Sequence, residues 1–246
     1  MSKDSNKLIG IIGVLVFIVV IMAYYIGYFT GRLELGAPFI PAGTKATNPA
    51  TPQKEEEFKQ VEEVAYFDLK GDEIAKGKLD SDIVLVEYTD LQCPFCAKFH
   101  PNVDSVLEKN KDVKLVTKHF PLSFHQFAKD YAVMFECIAK NSNTEQAYSF
   151  VSNLFKVNMD KRGVVTLEDG LNEFKKLGQT DDSFKACKDD SKITQKIQNN
   201  FDEGVKLGIN GTPAMYILNT SSKKAVRLNG LVDESVIQSE IEKIKK

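Results

Sequence analysis

The sequence predicts an α/β domain whose small sheet is interrupted by a block of helices, behind one apolar N-terminal segment. Two strand-like runs with a helical pattern between them indicate the first half of the sheet. About 85 residues of helical period follow at 123–207, and strand-like runs then return. The flanking parts, 64–122 and 208–246, total 98 residues, which is the size of one small domain.

The composition is that of a globular protein. The 246 residues are 43% apolar and 27% charged, and 32 basic residues against 34 acidic ones give a formal net charge of −2. Because no run of basic residues interrupts this balance, we do not expect nucleic acid as a partner. Glycine and proline together make up under a tenth of the chain, which excludes collagen-like and disordered classes.

An uncharged segment at Leu8–Phe29 predicts one transmembrane helix. Its 22 residues match the roughly 30 Å hydrocarbon core of a bilayer. A cleaved signal peptide is the alternative, but the segment exceeds the roughly 7 to 15 apolar residues usual there, and no Ala-x-Ala site follows closely. Lys3 and Lys7 precede the segment and only Arg32 follows closely, so residues 1–7 are expected in the cytoplasm and the remainder outside.

Residues 30–63 are expected to form a linker. They contain four of the eight prolines and the acidic run Glu55–Glu57. About 25 residues of this kind reach roughly 25 to 30 Å as a flexible coil. A globular domain at 64–246 would therefore be held near the membrane.

Individual elements of that domain follow from residue periodicity. Residues 64–69 alternate weakly and predict an edge strand, whereas Ile83–Tyr88 is typical of a strand buried on both faces of a parallel sheet. A helix is expected from Pro94, since proline is tolerated at the first helical position, and Pro101 should kink it. Val113–Lys118 alternates as the next strand.

Four or five helices are expected between Ser123 and Leu207. Thr166 and Asp169 form a capping-box pattern at a helix start, and Gly178 is a helix-stop signal. Two strands and a final helix should complete the domain. These last elements are expected at Ala214–Leu218, Lys224–Leu228 and Asp233–Ile244.

Cys93 and Cys96 lie where a buried strand leads into a helix. Free backbone N–H groups and the helix dipole depress the pKa of a thiol at Cys93, and Cys96, one turn later, can close a disulfide with it. Such a short loop makes a reducible bond that suits exchange better than structural cross-linking. The motif therefore predicts thiol–disulfide chemistry, with Cys93 as the exposed cysteine that a thiolate attacks.

Other uses of the cysteines are less consistent with the spacing. A zinc site needs four ligands, and neither Cys137 nor Cys187 has a partner at short spacing. A c-type haem needs histidine directly after the second cysteine, where this chain has Ala97. A purely structural disulfide between Cys93 and Cys96 stays open as an alternative.

In combination, these motifs resemble the thioredoxin superfamily and, within it, the extracytoplasmic DsbA-like thiol-disulfide oxidoreductases. The resemblance covers about residues 64–246 and implies a thioredoxin-like fold with a helical insertion in that part of the chain. The transmembrane helix expected from the segment 8–29 precedes it. The resemblance rests on four features that occur in the family's order. They are VLVEYTDLQCPFC ahead of a helix, KHFPL at Lys118–Leu122, the helical insertion, and GTPAMYIL at Gly211–Leu218.

The resemblance implies roles for three further residues. Thr212 precedes a cis proline, Pro213, whose loop lies against the cysteines and pairs with the substrate backbone. Glu87 is an acid in an apolar strand, so it should be paired with a lysine or have a raised pKa. The family's buried acid suggests that Glu87 exchanges a proton with Cys96. The alternative for Glu87 is a surface acid on an edge strand.

Cys137 and Cys187 are expected to form a structural disulfide. Both fall on insertion helices where they could face one small core, and an oxidising compartment with an even number of cysteines favours pairing. Two buried free thiols are the alternative.

The histidines are not expected to be ligands. His100, His119 and His125 are interpreted as packing or surface residues. Phe95 stands between the cysteines, where the best-studied DsbA-like pattern has histidine, so a positive charge beside the nucleophile is lost.

The implied function is oxidation of cysteine pairs in exported proteins by a single-pass, extracytoplasmic enzyme of a prokaryotic cell envelope. No cofactor or metal is expected. The expected partners are exported or secreted proteins with free cysteines and a membrane quinone-linked reoxidase. A reductase or isomerase of the same fold is one alternative. A thiol-based metal-delivery module is another, which the Cys-x-x-Cys spacing disfavours.

Overall fold

The structure is a computed structural model that describes Ile21–Met22, Phe67, Leu69 and residues 73–246. The chain divides into two units, residues 1–54 and residues 55–246. In the first unit, Ile21 and Met22 are helical and exposed.

The remainder of the predicted transmembrane segment 8–29 lies outside the described residues. The same holds for the predicted tail 1–7 and linker 30–63. Within the part of the chain that the structure describes, the helices are too short or too polar to cross a bilayer.

A five-stranded mixed sheet lies at the centre of the second unit. The strand order is β1-β3-β2-β4-β5, with β2 and β3 parallel and the other neighbours antiparallel. The strands are β1 (Ala75–Gly77), β2 (Ile83–Thr89), β3 (Val113–His119), β4 (Ala214–Asn219) and β5 (Lys224–Asn229).

The central strand β2 is buried along its whole length. Successive side chains point to opposite faces of the sheet, so Leu85 joins the larger core, which includes helix side chains, while Val84 and Val86 join the smaller core on the other face. The predicted doubly buried strand and its parallel neighbour are confirmed. The alternation also places Glu87 and Thr89 on the face of the larger core.

The edge strand is not where the sequence predicted it. The structure has a strand at Ala75–Gly77 that pairs with β3, whereas Phe67 and Leu69, the described residues of 64–69, are outside any strand. The Phe67 ring packs on Tyr216, with centroids 4.8 Å apart. Phe67 therefore covers the sheet instead of extending it.

Seven helices complete the second unit in the residues described there. The first begins at Pro94, as predicted, and continues through Pro101. The next five form the insertion and fall within the predicted range 123–207. The helices are α1 (Pro94–Lys109), α2 (Ala128–Asn141), α3 (Thr144–Asp160), α4 (Leu167–Lys176), α5 (Asp181–Asp189), α6 (Ser191–Lys206) and α7 (Glu234–Ile244).

Local sequence signals set the ends of α4. Thr166 and Asp169 form the capping box, with Thr166 N donating to Asp169 Oδ2 at 2.9 Å. Gly178 follows the helix with a φ of 78°, in the left-handed region that glycine adopts readily. The predicted helix start and stop are confirmed.

Helices α2 and α5 are joined by a disulfide. Cys137 and Cys187 are bonded at an S–S distance of 2.05 Å, and both sulfur-bearing residues are buried in the larger core. The bond closes a loop of 50 residues and holds α2 and α5 together.

Candidate active site at the start of helix α1

The tight turn between β2 and α1 presents the two remaining cysteines. Cys93 is the N-cap residue of α1 and Cys96 lies in the first turn. The turn is closed by Cys93 N, which donates to Asp90 O at 3.0 Å. Both cysteines are free thiols, so the structure corresponds to the reduced state.

Cys93 is less accessible than the sequence predicted. It is 3% exposed, and Cys96 is fully buried. The loop before β4 reaches Cys93, whose Sγ lies 3.6 Å from Thr212 O. The prediction of an exposed nucleophile is wrong because a loop more than a hundred residues away in sequence covers the thiol.

The two thiols differ in acidity. Hydrogen bonds from the Cys96 thiol and from the backbone of the first helical turn lower the pKa of Cys93 to about 6, against the opposing effect of burial. Burial raises the pKa of Cys96, and the neighbouring Cys93 raises it further. Near pH 7, Cys93 is therefore a thiolate that accepts a hydrogen bond from the Cys96 thiol.

The loop that contains Thr212 and Pro213 lies beside this pair. The Thr212–Pro213 peptide bond is cis, and Pro213 O accepts a hydrogen bond from Gly230 N at 2.9 Å. That bond fixes the loop to the end of β5. Thr212 Oγ1 is buried without full hydrogen-bond geometry to any described residue, but it lies close enough to the two thiols to lower the pKa of both Cys93 and Cys96.

Glu87 is a buried acid in the central strand, directly opposite Thr117 of β3. Burial raises its pKa to about 7, and the nearby charge of Asp104 contributes in the same direction. Of the two expected forms, raised pKa or lysine pairing, the structure has the raised pKa. The alternative of a surface acid on an edge strand is wrong, because β2 is the middle strand.

Thr89 lies two residues beyond Glu87 on the same face of β2. Its hydroxyl lowers the pKa of both Glu87 and Cys96, which places it close to both groups. Thr89 Oγ1 and Glu87 Oε1 are buried without full hydrogen-bond geometry to any described residue. The sequence interpretation did not include Thr89.

Asp90 and His125 are two further residues that the sequence interpretation did not assign to the site. The buried Asp90 carboxylate accepts three hydrogen bonds, from Gln92 N at 2.7 Å, Leu122 N at 2.8 Å and His125 Nδ1 at 2.8 Å. The signal was present in the sequence, since Asp90 directly follows β2 and His125 soon follows the parallel strand β3.

His125 thus departs from the interpretation as a packing or surface residue. Its bond to Asp90 raises its pKa, and the Cys93 thiolate contributes in the same direction. His100 and His119 are packing residues, as expected, and they bond to Ser152 and Glu136, respectively.

Gln92 ties the turn to the helical insertion. Its side-chain oxygen accepts from Phe127 N at 2.7 Å, and its carbonyl oxygen accepts from Asn158 Nδ2 at 2.8 Å. At Gly163, which has a φ of 88°, an added Cβ would lie 3.4 Å from Pro94. The insertion therefore packs directly against residues 90–96, which we call the redox turn.

The rim of the site is apolar. Phe95, between the cysteines, is 56% exposed, and Lys98 Nζ lies 5.8 Å from the centre of its ring.

Across residues 73–246 and the few described before them, no cluster of His, Cys, Asp or Glu has the geometry of a metal site.

A family model described as thioredoxin matches residues 69–233. The chain belongs to the thioredoxin family. Among solved structures of this family, DsbA2 of Pseudomonas aeruginosa has a TM-score of 0.58 and 24% identity, and the match covers 69% of this chain and 92% of DsbA2. The α/β fold with its helical insertion is therefore the DsbA type of thioredoxin fold.

Two curated relatives are of different kinds. Na(+)/H(+) antiporter NhaA 1 of Mycolicibacterium gilvum is 24% identical over 223 residues, which cover 88% of this chain and 31% of the antiporter. This chain thus spans about a third of the length of that relative. A provisionally named protein-disulfide oxidoreductase of Rickettsia bellii is 24% identical, and the match covers 77% of this chain and 76% of the relative.

Proposed function

We propose that the protein is a thiol–disulfide oxidoreductase that oxidises cysteine pairs in exported proteins through Cys93 and Cys96. The observation that carries the proposal is the unequal acidity of the two thiols. The pKa of Cys93 is lowered to about 6, whereas that of Cys96 is raised. An exchange site needs one sulfur that is a stable thiolate and a second that stays protonated until it is required.

The reaction proceeds in two exchange steps. A client thiolate attacks Cys93 Sγ of the Cys93–Cys96 disulfide, which forms a mixed disulfide and releases Cys96 as a thiolate that takes up a proton. The second client thiolate then attacks the client sulfur of the mixed disulfide and releases the Cys93 thiolate. Two electrons pass from the client to the protein.

The acidity of Cys93 favours this direction. A thiolate that is stable at neutral pH is a good leaving group, and it stabilises the reduced protein relative to the disulfide. We therefore propose a net oxidant with a potential between about −270 and about −120 mV, closer to the second value.

Glu87 is proposed as the proton donor and acceptor for Cys96. With a pKa of about 7, its carboxyl group can hold or release a proton under physiological conditions. Thr89 lies close to both groups, so its hydroxyl offers a path between them.

The loop at Thr212 and Pro213 is proposed to position the client. Thr212 O already contacts the Cys93 thiol, so a client backbone that pairs with this loop would bring its sulfur to Cys93.

The cellular setting is proposed from the sequence. The apolar segment 8–29 would anchor the protein in the cell membrane with its redox domain outside the cytoplasm, where disulfides persist. A quinone-linked membrane protein would then restore the Cys93–Cys96 disulfide after each turnover.

Oxidation of a reduced, unfolded model protein by the full-length oxidised protein in detergent tests this function. We expect one client disulfide per protein molecule, measured by thiol alkylation and mass, and none with Cys93→Ser. The matched control is the Cys137→Ser, Cys187→Ser double variant, assayed at a temperature where it is folded, which should oxidise the client like the parent. Equal client oxidation by Cys93→Ser and the parent would refute the proposal.

A further inference from the structure

The redox turn has an ionisable partner that belongs to a different part of the chain. Asp90 O accepts from Cys93 N at 3.0 Å, while the Asp90 side chain accepts from His125 Nδ1 at 2.8 Å. One residue therefore bonds to both the nucleophilic cysteine and the histidine. Between Asp90 and Cys93, this connection spans only the turn that leads from β2 into α1.

The Asp90 carboxylate is built to hold this histidine. Its side chain is fully buried, and a buried carboxylate requires hydrogen-bond donors or a positive partner. Gln92 N and Leu122 N fix both oxygens in place, and His125 is the ionisable partner. The ring orientation of His125 is thereby set, with Nδ1 toward Asp90 and Nε2 left for other contacts.

His125 is also accessible enough to exchange protons. Its side chain is 16% exposed and lines a cavity of about 840 Å³ between the loop after β3 and helix α6. The titratable groups that face it are Asp90 and Cys93 from the turn and Lys129 from α2. The α6 residues on this cavity, among them Thr194 and Gln198, are uncharged.

We propose that His125, fixed by Asp90, is a positioning residue that stabilises the Cys93 thiolate, so that the reduced protein holds a proton at His125 that the oxidised protein releases. This inference rests on the function proposed above. Reduction of the Cys93–Cys96 disulfide by two client thiols delivers two electrons and two protons. One proton ends on Cys96, and the other is retained at His125 beside the Cys93 thiolate.

The direction of the coupling follows from the electrostatics of His125. The Cys93 thiolate raises the pKa of His125, and by linkage a protonated His125 must lower the pKa of Cys93 by the same amount. The effect of His125 on the Cys93 pKa is smaller than that of the Cys96 hydrogen bond, which is the main cause of the low Cys93 pKa. His125 therefore adjusts the thiolate population and does not create it.

The first test compares His125→Asn with a matched charge variant, Lys129→Gln, which removes an exposed positive charge from the same cavity. Asparagine keeps a donor for Asp90 but cannot carry a charge. The rate of Cys93 alkylation against pH should show about a threefold loss of thiolate at pH 5 for His125→Asn. Lys129→Gln should stay close to the parent because exposed charges are screened. His125→Lys, which restores a positive charge, should recover most of the loss.

The second test needs no substitution at the site. The pKa of His125, followed by NMR of the histidine ring in the full-length protein, should be higher in the reduced protein than in the oxidised one. An identical His125 titration in the two states, or an unchanged Cys93 alkylation profile in His125→Asn, would overturn the inference. Either result could occur while the parent still oxidises clients, so failure of this inference is distinguishable from failure of the proposed function.

Discussion

The protein contains two cysteine pairs in opposite surroundings. Cys93 and Cys96 lie three residues apart at a helix N-terminus, carry free thiols and differ strongly in acidity. Cys137 and Cys187 lie 50 residues apart on two helices and are bonded within an apolar core. Cys93 of the first pair faces the Cys96 thiol, backbone groups of the first helical turn and the Thr212 side chain, which favour a thiolate. Local donors and burial, and not the residue type, therefore separate the redox pair from the structural one.

The largest expected effect is on the lifetime of the mixed disulfide. Cys96→Ala removes the thiol that would attack Cys93 and release a client that has no second cysteine, so mixed disulfides with a single-cysteine client should persist at least about a thousandfold longer than in the parent. They are detected as client-sized mass additions on non-reducing gels. If Cys96→Ala accumulates no more complex than the parent, the two thiols do not act as one pair.

Removal of the other pair should affect stability instead. The Cys137→Ala, Cys187→Ala variant loses a cross-link that closes a 50-residue loop, worth about 4 kcal/mol on the chain-entropy relation. Thermal unfolding by circular dichroism should show a clearly lower Tm. The reference is the Cys93→Ala, Cys96→Ala variant, which removes two thiols and no cross-link present in the reduced protein. Equal melting temperatures for the two double variants would contradict the comparison.

A smaller effect is expected at Glu87. Glu87→Gln keeps the shape but removes the ionisation, so client oxidation should slow by about a hundredfold if the carboxyl transfers a proton. The measurement is the single-turnover rate between pH 5 and 9. Parent and variant rates that coincide across this range would make Glu87 a structural residue.

Glu87→Gln should also change how the stability of the protein depends on pH. The pKa of Glu87 is raised in the folded state, so the folded protein binds the proton more tightly, and its stability falls as the pH rises from about 4.5 to about 7. Glu87→Gln should therefore lose less stability than the parent between pH 5 and pH 8. Denaturant unfolding of both proteins at the two pH values checks the sign.

Much of the fold could be predicted because strong local patterns coincide with tertiary burial. The apolar run of β2 and the proline at the start of α1 each specify one structure. The weak alternation at 64–69 does not specify one structure, because apolar side chains that cover a sheet and those that extend it produce the same pattern. Phe67 is the residue that shows the difference.

From the residues alone, the site was predictable only where its members are close in sequence. Glu87, Cys93 and Cys96 lie within one strand, the turn after it and the first helical turn. Thr212 and Pro213 were predicted only through the family resemblance, and the structure confirms the cis bond and the contact with Cys93. The covering of Cys93 by Thr212, and the bond between Asp90 and His125, exist only after distant segments meet. Parallel pairing aligns Thr89 with His119, which brings the residues after both strands to the same edge of the sheet.

The two pairs are compared most directly by equilibrating the full-length protein with glutathione buffers of graded potential, alkylating the free thiols and counting the label on each of the four cysteines by mass analysis. We expect Cys93 and Cys96 to become reduced between about −270 and about −120 mV, nearer the second value, while Cys137 and Cys187 stay bonded, as structural disulfides below about −300 mV do. A Cys93–Cys96 potential at or below about −270 mV, or reduction of both pairs together, would contradict the account of one oxidising pair beside one structural pair.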